Sequence, residues 1–299
     1  MTMMLGLVFS VLAAMCWATS PLFLKRGMRD LNFFEISAIR SIGFLSASFL
    51  IALVSAPATL IWHSDNLALF AIFINIFIGN IVGDTLYFRS IQDLGISRSV
   101  AISSSYPLVV TAVSYFWLNE HITFHVLIGT VLIVLGLICM RGTTNGSTAT
   151  PHAKRGYISA LVAALCWGIS IPITKWAISI HGIDPISLTF WRAAFLMPSA
   201  WILWRFTSRK NPERWHFLRR SSRGDQLSVL MAGSIGLAVG GYVFALAMNF
   251  APVSVATPIT ASSPFLTAIG ALIFMREHPL ASHWAGMALI ISGSVAMGV

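Results

Sequence analysis

Long apolar runs broken by short polar stretches dominate the chain, and ten of them approach the roughly 20 residues that an α-helix needs to cross a bilayer. The predicted spans are residues 4–24, 33–55, 67–88, 96–118, 122–140, 157–178, 185–204, 226–248, 253–275 and 281–299. The runs are too long and too continuously apolar to be the alternating segments of an outer-membrane barrel. The pattern therefore predicts an all-α integral membrane protein with ten transmembrane helices. The first run has neither a basic lead nor a small-residue cleavage signal, so it is expected to be retained as a span.

The spans form two sets. Residues 141–155 (RGTTNGSTATPHAKR), the longest run of small polar residues, lie near the midpoint and read as a linker. GLVFSVLAAMCWATSPLFLK from Gly6 aligns with GYISALVAALCWGISIPITK from Gly156, placing Cys16-Trp17 on Cys166-Trp167. Further on, one constant offset superposes Gly79 on Gly236, Gly83 on Gly240, Ser105 on Ser262, Pro107 on Pro264 and Glu120 on Glu277. The same offset carries His121 to His278, Gly129 to Gly286 and Gly136 to Gly293. Shared hydrophobicity aligns Leu with Val but does not align Gly, Pro, Glu and His in order, so the unit is expected to be duplicated. The predicted division is a five-helix repeat over residues 1–140, a cytoplasmic linker over 141–155 and a second five-helix repeat over 156–299. Five is odd, so the second copy is predicted to be inverted, with a substrate site near the midplane between the copies.

Composition removes a soluble two-domain reading of the 299 residues, because 57% are hydrophobic and only 10% charged. A formal net charge of +9 is compatible with nucleic-acid binding until the charges are placed. Sixteen of the nineteen Lys and Arg residues fall in the loops after the odd-numbered spans, Lys175 alone falls on the other side, and Arg40 and Arg192 lie within spans. The positive-inside rule then puts the odd-numbered loops in the cytoplasm and both termini outside, in a cytoplasmic (inner) membrane. Loop 205–223 interleaves Trp215 and Phe217 with arginines, and is expected to rest on anionic headgroups of the bilayer. No nucleic-acid-binding signature accompanies it. Cys16, Cys139 and Cys166 lie in apolar spans without a Cys-x-x-Cys, so neither a disulfide nor a metal site is expected. No nucleotide-binding or nucleophile motif appears, and no cofactor is expected.

Polar groups inside so apolar a chain carry the chemistry. Arg40 lies about two turns into its span, where a charge costs roughly 2.5–3.5 kcal/mol at the centre and less near the interface. Asp84 falls in the same half of the membrane, and the two read either as a static ion pair or as a proton-exchanging or substrate-coordinating group. Glu35, nearer a helix start, is expected to reach headgroups or water, and completes the set of coupling or ion-pair candidates. Arg192 is the repeat partner of Arg40, yet the position matching Asp84 is Gly241. Its guanidinium therefore needs backbone carbonyls, water, the outer interface or an anionic substrate group.

Residues 101–107 read AISSSYP and residues 258–264 read PITASSP. A proline inside a helix frees the carbonyl four residues earlier, so Pro107, Pro258 and Pro264 are expected to kink their spans toward a wet cavity. Ser105, Tyr106, Thr260 and Ser262 become candidates for its lining. Trp17 and Trp167 lie too deep for an interfacial belt, and both cavity walls and core packing stay open for them. Asn80, Asp84, Tyr87, Arg192 and Tyr242 complete the substrate-binding candidates. The repeated Gly-x-x-x-Gly pairs read as helix packing, Glu120 and Glu277 as interfacial caps, and Lys25 and Lys175 as snorkelling groups.

Ala14-Met15-Cys16-Trp17 with its copy Ala164-Leu165-Cys166-Trp167, the proline-bearing fourth and ninth spans closed by Glu120 and Glu277, and the early Arg40 and Arg192 carry a family likeness. In these features the chain resembles the drug/metabolite transporter superfamily, specifically its ten-span EamA family, over essentially its whole length. The resemblance implies a secondary transporter, often an exporter of amino acids or related metabolites, with a central cavity between the halves. It implies no particular substrate. The expected function is alternating-access transport of a small polar or amphipathic metabolite, with protons as a possible coupling ion and a monomer sufficient. An exchanger of phosphorylated or nucleotide-linked solutes needs more cations within the spans, a carrier of drugs or quaternary amines remains an alternative, and an intramembrane enzyme needs a ligand or acid–base cluster the spans lack.

Overall fold

A computed structural model describes residues 2–27, 31–55, 65–94, 99, 102–139, 152–209, 215–263, 265–266 and 281–298. Every regular element among them is helical. They are α1 (Thr2–Gly27), α2 (Phe33–Ser55), α3 (Asn66–Leu94), α4 (Tyr106–Trp117), α5 (Phe124–Cys139), α6 (Ala153–His181), α7 (Pro185–Thr207), α8 (Arg223–Phe250), α9 (Val253–Ala261) and α10 (Ala281–Gly298), with a short helical turn at Phe217–Arg220. Six helices, α1, α2, α3, α6, α7 and α8, are long and apolar enough to cross a membrane, and α4, α5 and α10 contain shorter apolar segments.

Local chemistry fixes several of the ends. Asp65 accepts the Leu67 N–H at the start of α3, Asp184 accepts the Ile186 N–H ahead of Pro185 on α7, and Ser222 accepts the Asp225 N–H on α8. Gly182, with φ of 60°, stops α6 in the left-handed region that glycine tolerates best. α6 begins at Ala153, within the residues predicted as linker; residues 141–151 lie outside the described set. Pro107 is also not a mid-helix residue, since it stands in the first turn of α4, where a missing N–H leaves no bond unmade. Pro258 lies inside α9, and Pro264 falls outside the described residues.

Side-chain size, more than polarity, distinguishes inside from outside. Ala13, Ala14, Ala163 and Ala164 are buried, while Val11, Leu12, Met15, Leu161 and Leu165 on the same helices are exposed. Large apolar groups facing outward and small ones inward is the arrangement expected when the surrounding solvent is lipid.

Contacts recur in pairs that follow the sequence repeat. Gly6 of α1 abuts Ala251 and Gly156 of α6 abuts Leu94, while Gly240 of α8 lies against Trp17 and Gly83 of α3 against Trp167. The α5–α10 crossing pairs Gly129 with the Gly293 carbonyl and Gly136 with the Gly286 carbonyl, so these two helices run antiparallel at backbone contact. A Cβ added at either Gly129 or Gly136 would stand 2.6 Å from the facing oxygen. The glycine-rich stretches of α3 and α8 are wound as π-helix over Ile76–Gly83 and Ala232–Val239. Such wider turns leave carbonyls available to neighbouring donors and recur at functional sites.

Candidate functional site

A cavity of about 310 Å³ opens where these helices meet. Trp17 of α1, Arg40 of α2, Tyr106 of α4, Arg192 of α7 and Phe244 of α8 line it. Asn75, Asn80 and Asp84 contribute from α3, and Trp167, Ser170 and Thr174 from α6.

The π-helical turns position the two tryptophans. Trp17 Nε1 donates to the Gly236 carbonyl at 2.9 Å and Trp167 Nε1 donates to the Gly79 carbonyl at 3.1 Å, each reaching into the opposite half of the chain. Glycine is needed alongside: a Cβ at Gly240 would be 2.9 Å from the Trp17 indole, and one at Gly83 would be 3.1 Å from that of Trp167. Phe244 packs on Trp17 at 5.2 Å, and Tyr106 meets Trp167 edge-on at 5.9 Å. Asn75 Nδ2 donates to the Ser170 carbonyl, further tying α3 to α6.

The charged groups break this pairing. Asp84 accepts Arg40 Nη2 at 3.1 Å through one oxygen and Trp167 Nε1 at 3.0 Å through the other. The acid thereby joins α2, α3 and α6. A buried ion pair is strongly cohesive in one sense: removing one partner leaves the other charge uncompensated, at about 3–5 kcal/mol. Among the described residues Arg192 makes no ion pair, although the Asp84 carboxylate acts on it through space. Its Nε is buried without a hydrogen-bond partner, and its guanidinium lies beside Gly241, 3.6 Å from where a Cβ would be.

Several candidates lie elsewhere. Tyr87 stands behind Trp167 at 5.1 Å and does not line the cavity, and Tyr242 also lies off it. Ser105 is the residue before α4 and donates to the Ile102 carbonyl. The Thr260 and Ser262 hydroxyls donate to carbonyls of their own segment, Ala256 and Thr257 for the first and Ile259 for the second. Glu35 neither reaches headgroups nor approaches Asp84; it is fully buried, accepts the Asn32 N–H at 2.8 Å and meets Arg220 at 3.5 Å. The turn that carries Arg220 is held by buried Phe217 against Trp204 and Val229, so Phe217 is a core residue of loop 205–223. Lys175 does not snorkel: its ammonium donates to the Met248 and Ala251 carbonyls at the end of α8. Glu120 caps α9, accepting the N–H groups of Val253 and Ser254 at 2.8 and 3.0 Å. Glu277 lies outside the described residues.

Sequence reasoning did not single out Asn75, Ser170, Thr174 or Phe244 as lining residues. Its one available signal was the coincidence of the repeated Gly-x-x-x-Gly pairs with the repeated tryptophans, which marks where backbone carbonyls and indoles meet.

A multi-helix apolar bundle around a polar, aromatic-walled cavity drawn from both halves of the sequence defines a membrane carrier class. The family model described as EamA-like transporter family matches the chain twice, over residues 4–142 and 154–299, and the chain belongs to that family. It is thus a multi-pass membrane transporter acting on a small-molecule substrate, and not an enzyme. It is 25% identical over 292 residues, 96% of each chain, to an uncharacterized transporter of Archaeoglobus fulgidus. It is 23% identical over 228 residues, 73% of this chain and 75% of the other, to a Bacillus cereus protein provisionally named a sugar uptake protein. A solved crystal structure shares the fold with a TM-score of 0.78 at 15% identity, covering 97% of this chain and 95% of that one.

Proposed function

We propose that the protein is a ten-span inverted-repeat secondary carrier that exports a small polar or amphipathic metabolite, an amino acid or related compound, by alternating access. The observation that carries this reading is one cavity built from equivalent residues of both halves, Trp17 with Trp167 and Arg40 with Arg192. The antiparallel contact of α5 with its sequence equivalent α10 supports inversion of the copies over residues 1–140 and 156–299. The charge distribution supports a cytoplasmic membrane with both termini outside, and loop 205–223 resting on anionic lipid.

In the proposed cycle the halves rock about the cavity, with the glycine-rich turns of α3 and α8 as compliant points. Asp84 is the coupling candidate, because protonating it would release Arg40 and the Trp167 N–H and loosen α2, α3 and α6 together. A proton gradient or the solute's own gradient supplies the energy, and one copy of the chain suffices.

A sugar is the second reading, favoured by the names of the Bacillus relatives and by two indoles offering stacking faces. Counterflow in proteoliposomes separates the readings: an amino-acid label should exchange against unlabelled solute. Exchange of hexoses alone would replace amino acids with sugars, and absence of counterflow for every solute in a broad panel would overturn the carrier reading. Asp84→Asn is expected to lower proton-driven accumulation while sparing exchange; unchanged accumulation would remove Asp84 as the coupling group.

A further inference from the structure

We infer that the cavity contains an anion subsite on Arg192 that takes a single carboxylate of the transported solute. This rests on the carrier reading above and specifies the chemistry of that same site.

The two halves present the same arginine in two electrostatic settings. Arg40 meets Asp84 at 3.1 Å. The offset that superposes Gly83 on Gly240 carries Asp84 onto Gly241, and the Arg192 guanidinium stands at that position, 3.6 Å from a Cβ built on Gly241. The arginine and its location are shared, while the acid is missing. Among the described residues Arg192 forms no ion pair; both arginines have a buried Nε without a hydrogen-bond partner, so the Asp84 contact alone separates the two settings.

Charge in the lining is therefore unbalanced. Arg40, Asp84 and Arg192 all face the cavity, and Asp84 is already held by Arg40 and by Trp167. Asp84 also acts on Arg192 through space, so two guanidiniums share one carboxylate and one positive charge is left over, in surroundings where an uncompensated charge is costly. A solute bearing one negative group neutralises it, and a carboxylate matches the planar donor fork of arginine. A phosphate dianion brings two charges to that one left-over positive charge, so the lining favours the carboxylate.

Gly241 makes the inference testable. The 3.6 Å separation is ordinary contact distance, so a Cβ at 241 is accommodated beside the guanidinium, whereas one at Gly240 would press within 2.9 Å of Trp17. Gly241→Asp rebuilds in the second half the pair that the first half has, and Gly241→Asn adds the same bulk without charge. Each variant and the wild type are reconstituted in vesicles, and counterflow is measured for amino acids as free acids and as primary carboxamides. A hexose, its 6-phosphate and tetraethylammonium are run alongside.

The wild type and Gly241→Asn should favour free acids over carboxamides by about tenfold or more, the range of one charge-assisted hydrogen bond. Gly241→Asp and Arg192→Gln should lose that preference, with Gly241→Asp keeping the wild-type melting temperature. Equal flux of acid and carboxamide in the wild type, or identical behaviour of the Asp and Asn variants, overturns the subsite. Should Arg192→Gln fail to fold, the Asp and Asn pair still decides. Flux of the hexose phosphate alone reassigns the guanidinium to phosphate and overturns the carboxylate. Flux of hexose or tetraethylammonium alone leaves the carrier standing and overturns the subsite; no flux of any probe overturns both.

Discussion

Trp17 and Trp167 occupy matching places in the repeat and make matching indole-to-carbonyl bonds, yet their surroundings differ by one carboxylate. Trp167 shares its N–H between the Gly79 carbonyl and Asp84, while among the described residues Trp17 donates to the Gly236 carbonyl alone, the residue equivalent to Asp84 being Gly241. Two copies of one scaffold thus keep the packing and diverge in charge. Packing between α1 and α8, and between α6 and α3, uses the shared glycines and indoles; the charged groups are the part that is not shared.

The largest test of this contrast is to remove the acid. Asp84→Leu should strip Arg40 of its partner and cost about 3–5 kcal/mol, seen as a sharply lowered melting temperature in detergent, whereas Arg40→Leu/Asp84→Leu should regain most of it. If the double variant is no better than the single one, the pair is not what sets the cost. Next in size, Trp167→Phe removes a donor to a charged oxygen, about 1.5–3 kcal/mol, and Trp17→Phe removes a neutral bond, about 1 kcal/mol. Equal losses would mean that the carboxylate adds nothing to the Trp167 site.

Gly83→Ala and Gly240→Ala sharpen the comparison from the other side. Both would press a methyl group on an indole, so both should destabilise by about 1–3 kcal/mol and by similar amounts. A marked difference would place asymmetry in the packing as well as in the charge. The smallest effect concerns the caps, Asp65 on α3 and its equivalent Ser222 on α8. The Leu67 N–H, and next the His181 ring, hold the Asp65 carboxyl below its ordinary value. A depressed folded value means that the contribution is present above the ordinary Asp value of about 3.9 and fades as pH falls through the folded one. Asp65→Ser should therefore leave stability at neutral pH nearly unchanged and slightly flatten its acid limb.

How much of this was legible in the sequence follows from what sequence patterns encode. Membrane burial leaves long apolar runs, so the helices were visible, and a charge in lipid demands a partner, so Arg40 and Asp84 pointed to each other. Gly129 and Gly136, seven apart like their copies Gly286 and Gly293, suggest a close helix contact within or between molecules, and the structure makes it the α5–α10 crossing. Hydroxyls were misleading, because Thr260 and Ser262 satisfy themselves on nearby carbonyls and need no cavity. Pro107 was misread for a related reason: a proline in a first turn and one in a helix middle look the same until the helix start is known. Glu35 looked close enough to the interface to be solvated, but Asn32 and Arg220 fold over it. The indole-to-carbonyl bonds depend on winding, which residue type alone does not encode.

That winding has a rotational consequence. An α-helix advances about 100° per residue, and a π turn absorbs one additional residue without changing the line of the axis. Ile76–Gly83 therefore sets the azimuth of everything that follows it on α3. Rewinding that segment to ordinary α geometry with every residue kept would swing Asp84 by roughly a quarter turn away from Arg40, whereas deleting one residue at the same time would bring it back into phase. The chemistry of the cavity is thus keyed to a phase angle as much as to the residues themselves.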